Sequence, residues 1–271
     1  AALSKRVVQR GRVLGMHVVG DDPDDRKHLD ARVLADHMNY QLLVETDEWQ
    51  TSTDRLLSTY LLCGVMYKKT FFDPIKQRNV SEVVPWEDIY IHRDTKVLED
   101  ARRVTHRMDM HVNDIVELMR AGVFVELDVD KVIRGNYEMG EKETVEVLEQ
   151  HRYLDLDGDG YEEPYVVTVL SKTQDVLRIM TRFDPESVQY NSKNKVITIK
   201  PVHYFTDFHC IPNPDGSYYS LGLGHLLYNH TQALGSLVNN IIDAGTLANA
   251  PPTFIDASAA NRIKGGELVT A

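Results

Sequence analysis

The spacing of apolar residues predicts two helices in the N-terminal part of the chain. Asp22, Pro23 and Asp25 form a helix start signal, with a capping carboxylate, a proline and an acid in the first turn. Apolar residues then recur every three or four positions, which places them on one helix face: Leu29, Val33, Leu34, Met38, Leu42 and Leu43. We expect these six residues to be buried. A second predicted helix begins near residues 51–54 and ends at Gly64.

The central part of the chain changes to short β-branched and aromatic runs separated by turn signals. The runs that predict strands are residues 65–73, 83–91, 104–110, 145–148, 165–170, 176–180, 196–199 and 202–208. A short helical pattern around residues 113–122 interrupts them. We expect a mainly antiparallel, mixed sheet after a helical N-terminal region, which is an α+β fold.

A long helix is predicted from residue 221 to residue 247, a segment with one acid, Asp243, and no Lys or Arg. Its apolar stripe consists of Leu223, Leu227, Leu234, Leu237 and Ile241. Such a stripe is typical of an ordinary core face. The opposite face, however, is polar without being charged, whereas an isolated surface helix usually displays Lys and Glu. A neutral polar face suits a helix that packs among copies of itself or lines a passage.

Composition and charge narrow the functional classes. The 271 residues are 42% hydrophobic and 26% charged, which is typical of a globular protein. The net charge of -11 argues against general affinity for nucleic acid or anionic membranes, which needs a cationic surface. No apolar run approaches the ~20 residues of a membrane-spanning helix. Because the chain begins at Ala1 and lacks an initiator Met, we expect a processed chain or a segment of a longer one.

An acidic motif places Asp155, Asp157 and Asp159 at positions one, three and five of a calcium-loop pattern, with Gly160 at position six. The pattern then fails, because Val166 stands where a bidentate Glu would complete the coordination shell. Strand-like runs also flank the motif on both sides. It is therefore either an acidic β-turn or a weak calcium site, and the sequence leaves both open.

A basic cluster contains Arg102, Arg103 and Arg107. In an acidic protein these side chains could contact phosphates or an acidic neighbour. The alternative is that they form salt bridges with the nearby Glu99 and Asp100.

No linear catalytic motif is present: the chain has no phosphate-binding glycine loop, nucleophile elbow or zincin helix. Gly222-Leu-Gly224 lacks the third glycine of a dinucleotide-binding loop. The absence of these motifs only modestly favours a protein without catalytic activity, and we expect no cofactor other than the calcium ion that the acidic motif could bind. A hydrolase with a dispersed carboxylate site is a remaining alternative.

Four segments, taken in order, resemble portal proteins of tailed bacteriophages, particularly the short-tailed type. They are Val-Pro-Trp-Glu-Asp-Ile-Tyr at 84–90 with its following turn at 98–102, the acidic hairpin at 151–165, the aromatic strand, Pro/Asp/Gly turn and Gly-Leu-Gly helix start at 205–227, and the helix at 237–248. The similarity spans roughly residues 25–255.

The resemblance implies a homo-oligomeric ring, usually a dodecamer, at one vertex of the viral capsid. Such a ring is the channel for double-stranded DNA packaging and ejection, and the DNA passes without sequence specificity. Terminase, capsid and tail-adaptor proteins are the implied partners, in a virion assembled in the host cytoplasm. The resemblance assigns ATP hydrolysis to the terminase, and it therefore implies that this chain is not an enzyme and has no catalytic residues. By similarity, residues 1–220 are a wing-like α+β domain, 221–250 a stem helix, and 251–271 the start of a clip-like region. The alternative function is an acidic calcium-binding structural or adhesion module centred on Asp155, Asp157 and Asp159.

Overall fold

The computed structural model describes residues 13–46, 48–128, 144–192 and 195–249. The predicted clip-like region at 251–271 lies outside these residues. The chain divides into two compact units, Ala1–Gly224 and His225–Ala271. The predicted division into wing, stem and clip stays a prediction.

Four α-helices lie in the described part of the chain: α1 (Arg26–Tyr40), α2 (Trp49–Cys63), α3 (Val112–Arg120) and α4 (Leu223–Asn249). A short π-helical turn, Gln41–Glu45, follows α1. α2 ends as the sequence predicts, because Gly64 adopts a φ of 97°, which residues with a Cβ rarely tolerate.

The expected core face of α1 is wrong, because none of its six residues is buried, and Met38, Leu42 and Leu43 are only half-buried. Leu29, Val33 and Leu34 are at least half exposed, and the residues that α1 buries are Ala35 and Asn39. The reason is an extended segment that lies against the helix and needs hydrogen-bond partners. The Asn39 side chain accepts hydrogen bonds from the N–H groups of residues 13 and 14 and donates one to the carbonyl of residue 14. A polar residue is thus buried while an apolar stripe remains exposed.

Ten strands are present in the described residues: β1 (Val65–Asp73), β2 (Arg78–Val84), β3 (Ile89–Ile91), β4 (Arg103–His111), β5 (Thr144–Leu154), β6 (Glu163–Leu170), β7 (Val176–Thr181), β8 (Phe183–Tyr190), β9 (Val196–Pro201) and β10 (Phe205–His209). They form three sheets with the orders β10-β1-β2, β3-β4-β5-β6-β7 and β8-β9. All neighbouring strands are antiparallel. The predicted α+β fold with a long helix near its end is confirmed.

Two strand predictions are wrong in detail. The run 83–91 is not one strand, because Pro85 and a 3-10 turn at Trp86–Asp88 separate β2 from β3. β8 is absent from the sequence prediction because Asp184, Pro185 and Glu186 are poor strand formers, and its pairing with β9 is irregular.

The main core lies between the first two sheets. It contains Val65 and Tyr67 of β1, Phe205 of β10, and Ile89 and Val104 of the second sheet. β1 is covered on both faces, because its alternate residue Lys68 contacts α2 through Trp49 and Thr53. A second core packs α3 against β5 through Ile115, Val145 and Val147. The main core also contains Tyr218, which lies in the loop before α4.

Candidate assembly helix, its root and the charged clusters

α4 exposes its apolar residues. Every residue from 225 to 249 is exposed, and the helix has no buried side chain. The five predicted stripe residues, Leu223, Leu227, Leu234, Leu237 and Ile241, are 44–71% exposed. Together with Leu226 and Val238 they cover about 120° of the helix circumference. An exposed apolar face along a 27-residue helix is typical of a surface that another chain covers.

The polar residues of α4 add almost no charge. Three hydroxyls donate to the carbonyl four residues earlier: Thr231 to Leu227, Ser236 to Gln232 and Thr246 to Ile242. Because these hydroxyls are satisfied within the helix, they do not depend on water for a partner. Asp243 is the one charged side chain of α4. The helix can therefore be covered by a neighbour with little electrostatic cost.

Residues 220–224, which lead into the first turn of α4 and which we call the root, cross the end of α2 at very short range. A Cβ on Gly222 would lie 2.2 Å from the Leu62 carbonyl oxygen and 2.5 Å from the Gly64 nitrogen. A Cβ on Gly64 would lie 2.2 Å from the Ser220 carbonyl oxygen, and one on Gly224 would lie 2.9 Å from that of Leu62. Only glycine fits such a crossing. The Gly-Leu-Gly segment is thus explained by backbone packing.

Backbone hydrogen bonds close the root. The Cys210 N–H donates to the Gly64 carbonyl at 2.9 Å. Ile211 and Leu221 form a two-way bridge, with N···O distances of 3.2 and 2.8 Å. The chain between β10 and α4 is therefore a closed loop whose two ends are both held at the end of α2.

A side-chain network ties the same loop to β10. His209 Nδ1 lies 2.7 Å from Ser220 Oγ, and His209 Nε2 lies 3.0 Å from Asp207 Oδ2. The Tyr218 hydroxyl donates to the same Asp207 oxygen at 2.9 Å. The hydrogen bond from His209, helped by that from Tyr218, outweighs desolvation and lowers the pKa of Asp207.

The Ser220, His209 and Asp207 side chains follow the nucleophile, base and carboxylate order of hydrolytic enzymes. Ser220 is buried, however, and the carboxylate also binds the Tyr218 hydroxyl. The network thus holds the root against β10. Sequence reasoning missed it, although the alternation of Asp207 and His209 on one strand face was the available signal.

A second polar group, which we call the inter-sheet cluster, is buried between the first two sheets. Lys69 of β1 contacts both carboxylate oxygens of Glu149 on β5, at 3.0 and 3.1 Å. His151 Nε2 lies 2.9 Å from Glu149 Oε1. Burial opposes the charge of Glu149, but the hydrogen bond from His151 and the charge of Lys69 outweigh it and lower its pKa. The sheets are thus joined by a compensated ion pair as well as by apolar contacts.

Two further members of the inter-sheet cluster are less well compensated, and one of them, Glu82, is only half-buried. Glu82 on β2 lies directly opposite Lys69, and His106 on β4 lies directly opposite Glu149. The His106 Nδ1 atom is buried without a hydrogen-bond partner. Burial lowers the pKa of His106 to about 4 and raises the pKa of Glu82 above its ordinary value. The sequence showed a strand here, but not that its histidine would be buried.

The predicted basic patch is partly neutralised. Arg107 Nη2 lies 2.7 Å from an Asp88 oxygen, and Arg102 Nη1 lies 3.3 Å from a Glu162 oxygen. These partners differ from the local acids that the sequence offered. Arg103 is exposed on β4. A phosphate would have to compete with two carboxylates, and a contact patch of Arg102, Arg103 and Arg107 stays a prediction.

The acidic motif forms the turn between β5 and β6. One carboxylate oxygen from each of Asp155, Asp157 and Asp159 lies within 4.8 Å of the others. Backbone N–H groups already donate to them, including those of Gly158 and Gly160 to Asp155 at 2.7 and 3.0 Å. These bonds outweigh partial desolvation and lower the pKa of Asp155. The carboxylates fit a calcium ion in kind and spacing, and binding stays a prediction.

Comparison with known proteins decides the family. A family model described as phage SU10 portal protein matches residues 33–264. The chain belongs to the phage SU10 portal protein family. The match covers most of the chain and includes α2, α4, the root, the inter-sheet cluster and the acidic turn. No curated protein matches the chain.

Membership makes this a phage portal protein, with a structural role in the virion. Portal proteins form oligomeric rings that contact the capsid and DNA, and their family is structural rather than enzymatic. The resemblance noted in the sequence is therefore confirmed. Among the helices of the described residues, none is long and apolar enough to span a membrane.

Proposed function

We propose that the chain is the protomer of a ring at one capsid vertex, which forms the channel for double-stranded DNA packaging and ejection. In this role the ring also docks terminase and tail-adaptor proteins, and it is assembled in the host cytoplasm. Membership of the portal family supports a ring and a place in the virion.

The observation that carries the proposal is the exposed apolar face of α4. Seven apolar side chains along a helix about 40 Å long face solvent in the isolated chain. Covering this face with the α4 helices of neighbouring copies removes it from water, at roughly 25 cal/mol per Å² of apolar surface. The same helix presents no Lys or Arg, so packing it leaves no cation buried.

Electrostatics also supports passage of DNA without tight binding. Each Lys or Arg that displaces a phosphate counterion adds affinity and therefore resists sliding. α4 has none, and each chain carries a net charge of -11, which a ring multiplies. We infer that the duplex is kept away from the channel wall by like charge and neutral polar side chains.

The test compares two aspartate substitutions on opposite faces of α4 in the full chain. Leu234→Asp lies on the apolar face, and Asn239→Asp adds the same charge on the polar face. Negative-stain imaging should show rings for the wild type and Asn239→Asp and none for Leu234→Asp, while far-UV circular dichroism stays unchanged. Equal assembly of both variants would refute the assignment.

A second candidate role rests on the acidic turn, where three carboxylate oxygens lie within 4.8 Å of one another. If this turn binds calcium, the ion would lock the β5–β6 hairpin. In a calcium-dependent module, removal of the ion would abolish folding or association. In a portal ring it would leave assembly intact.

A further inference from the structure

The two cysteines of the chain lie beside the root, on the two segments that hold it, although they are 147 positions apart in the sequence. Cys63 is the last residue of α2, and Cys210 directly follows β10. Both are free thiols, and both are partly exposed. Neither thiol has a part in the proposed function.

The backbone places Cys210 directly opposite the residue that follows Cys63. β1 and β10 pair antiparallel with Val65 opposite His209, so the next position of the ladder pairs Gly64 with Cys210. The Cys210 N–H donates to the Gly64 carbonyl at 2.9 Å, which shows that the ladder continues to this position. Directly opposite Cα atoms are about 4.5–5.5 Å apart, and disulfides join residues whose Cα atoms are about 4.4–6.8 Å apart. The two backbones thus run side by side at a separation that disulfides span.

Both cysteine side chains belong to the layer between α2 and the first sheet. The Cys210 Sγ atom lies 3.9 Å from the carbonyl oxygen of Leu61, in the last turn of α2. The buried residues of α2 recur at spacings of four and three: Trp49, Thr53 and Leu56. The same spacing continues to residues 60 and 63, so Cys63 is on the helix face that contacts β1. One turn of α2 therefore carries one thiol and contacts the other.

We propose that Cys63 and Cys210 form an internal disulfide when the protein is exposed to an oxidising environment. The oxidant is a low-molecular-weight disulfide, and oxidised glutathione is the probe. One cysteine thiolate attacks it, which forms a mixed disulfide and releases one reduced glutathione. The second thiolate then attacks the protein sulfur of the mixed disulfide and releases the other glutathione. The two protein thiols lose two electrons, glutathione disulfide gains them, and the two thiol protons end on the two released glutathiones.

The bond ties the end of α2 to the end of β10, the two segments that enclose the glycine crossing at the root. It closes a long loop of the unfolded chain, so the oxidised protein should be the more stable form. Only the timing of the bond rests on the proposed function. The cytoplasm keeps thiols reduced during assembly, whereas a released virion is in oxidising surroundings.

The test oxidises the 271-residue chain with glutathione disulfide and counts its thiols. Before oxidation, N-ethylmaleimide added in denaturant should label two cysteines per chain, and after oxidation it should label none. The intact mass should fall by about 2 Da, and non-reducing peptide mapping should join the peptides that contain Cys63 and Cys210 within one chain. The urea midpoint should rise on oxidation and return to its starting value with dithiothreitol.

Variants separate an internal bond from general thiol oxidation. Cys63→Ser and Cys210→Ser should each retain glutathione as a mixed disulfide and show no rise in the urea midpoint. The matched control combines Cys63→Ser with Leu62→Cys, which moves the thiol by one residue to an exposed position of α2 and should leave Cys210 unbridged.

Three results would overturn the proposal: two thiols or two mixed disulfides that persist in wild type, a disulfide that joins different chains, or a control variant that closes as fast as wild type. None of these measurements requires a ring or DNA. Their failure would therefore leave the portal role standing, and a failure of ring assembly would leave the disulfide testable in the monomer.

Discussion

Replacing Gly222 by alanine tests the close crossing at the root of α4. The added Cβ would lie 2.2 Å from the Leu62 carbonyl oxygen, which is more than 1 Å closer than ordinary van der Waals contact. The neighbours within 3 Å are backbone atoms of Leu62 and Gly64, so no flexible side chain can move aside. Overpacking costs typically about 1–3 kcal/mol, and we expect Gly222→Ala to lie at or above the upper end.

The matched control is Gly235→Ala, within α4 but off its apolar face. A Cβ at this position meets nothing within 4 Å, and alanine is favoured over glycine in a helix interior by about 0.5–1 kcal/mol. The root and the helix should therefore respond with opposite signs. Urea unfolding of the full chain, followed by Trp fluorescence and far-UV circular dichroism, measures both. Wild-type stability for Gly222→Ala would refute the crossing.

Three other predictions concern the charged clusters. Burial lowers the pKa of His106 from 6.5 to about 4, so the unfolded chain protonates this imidazole more readily than the folded chain does. The free energy of unfolding should therefore decrease by up to about 3 kcal/mol between pH 6.5 and pH 4, and His106→Asn should reduce this pH dependence. Lys69→Met leaves the Glu149 carboxylate without its cation and should cost about 3–5 kcal/mol in urea unfolding, whereas adding Glu149→Leu should recover part of the loss. If the acidic turn binds calcium, the ion at 100 times its Kd should stabilise the chain by about 2.7 kcal/mol, and Asp157→Asn should remove that gain. A chelator should leave the native mass of the assembly unchanged.

The sequence predicted elements better than it predicted what they bury. The strand β1 is predicted correctly from its β-branched and aromatic residues, but the sequence does not indicate that its Lys68 and Lys69 are both buried. Lys69 is compensated by Glu149, 80 positions later in the chain, and no local pattern shows such a pair. Periodicity identifies a face of a helix or strand, and the tertiary contacts decide whether that face is covered.

The two helices with clear apolar stripes illustrate the same limit. The stripe of α1 was expected to be core, yet Leu29 and Val33 are exposed because the segment at 13–14 occupies the Asn39 side of the helix. The apolar stripe of α4 is also exposed. In α4 the uncharged polar residues opposite the stripe indicated that the helix is not an ordinary surface helix, whereas the polar positions of α1 include charged residues and gave no such indication. The role of the root glycines could not be predicted from the sequence, because the close approach of two backbone segments produces no periodic pattern of residues.

The most direct test of the central claim, that copies of this chain join through the apolar face of α4, is the native mass of the 271-residue chain at micromolar concentration. The account predicts one closed oligomer, a whole multiple of the 30.9 kDa chain, that Leu234→Asp converts to monomer. A wild-type chain that remains a 30.9 kDa monomer, or a Leu234→Asp variant with the same mass as wild type, would contradict it.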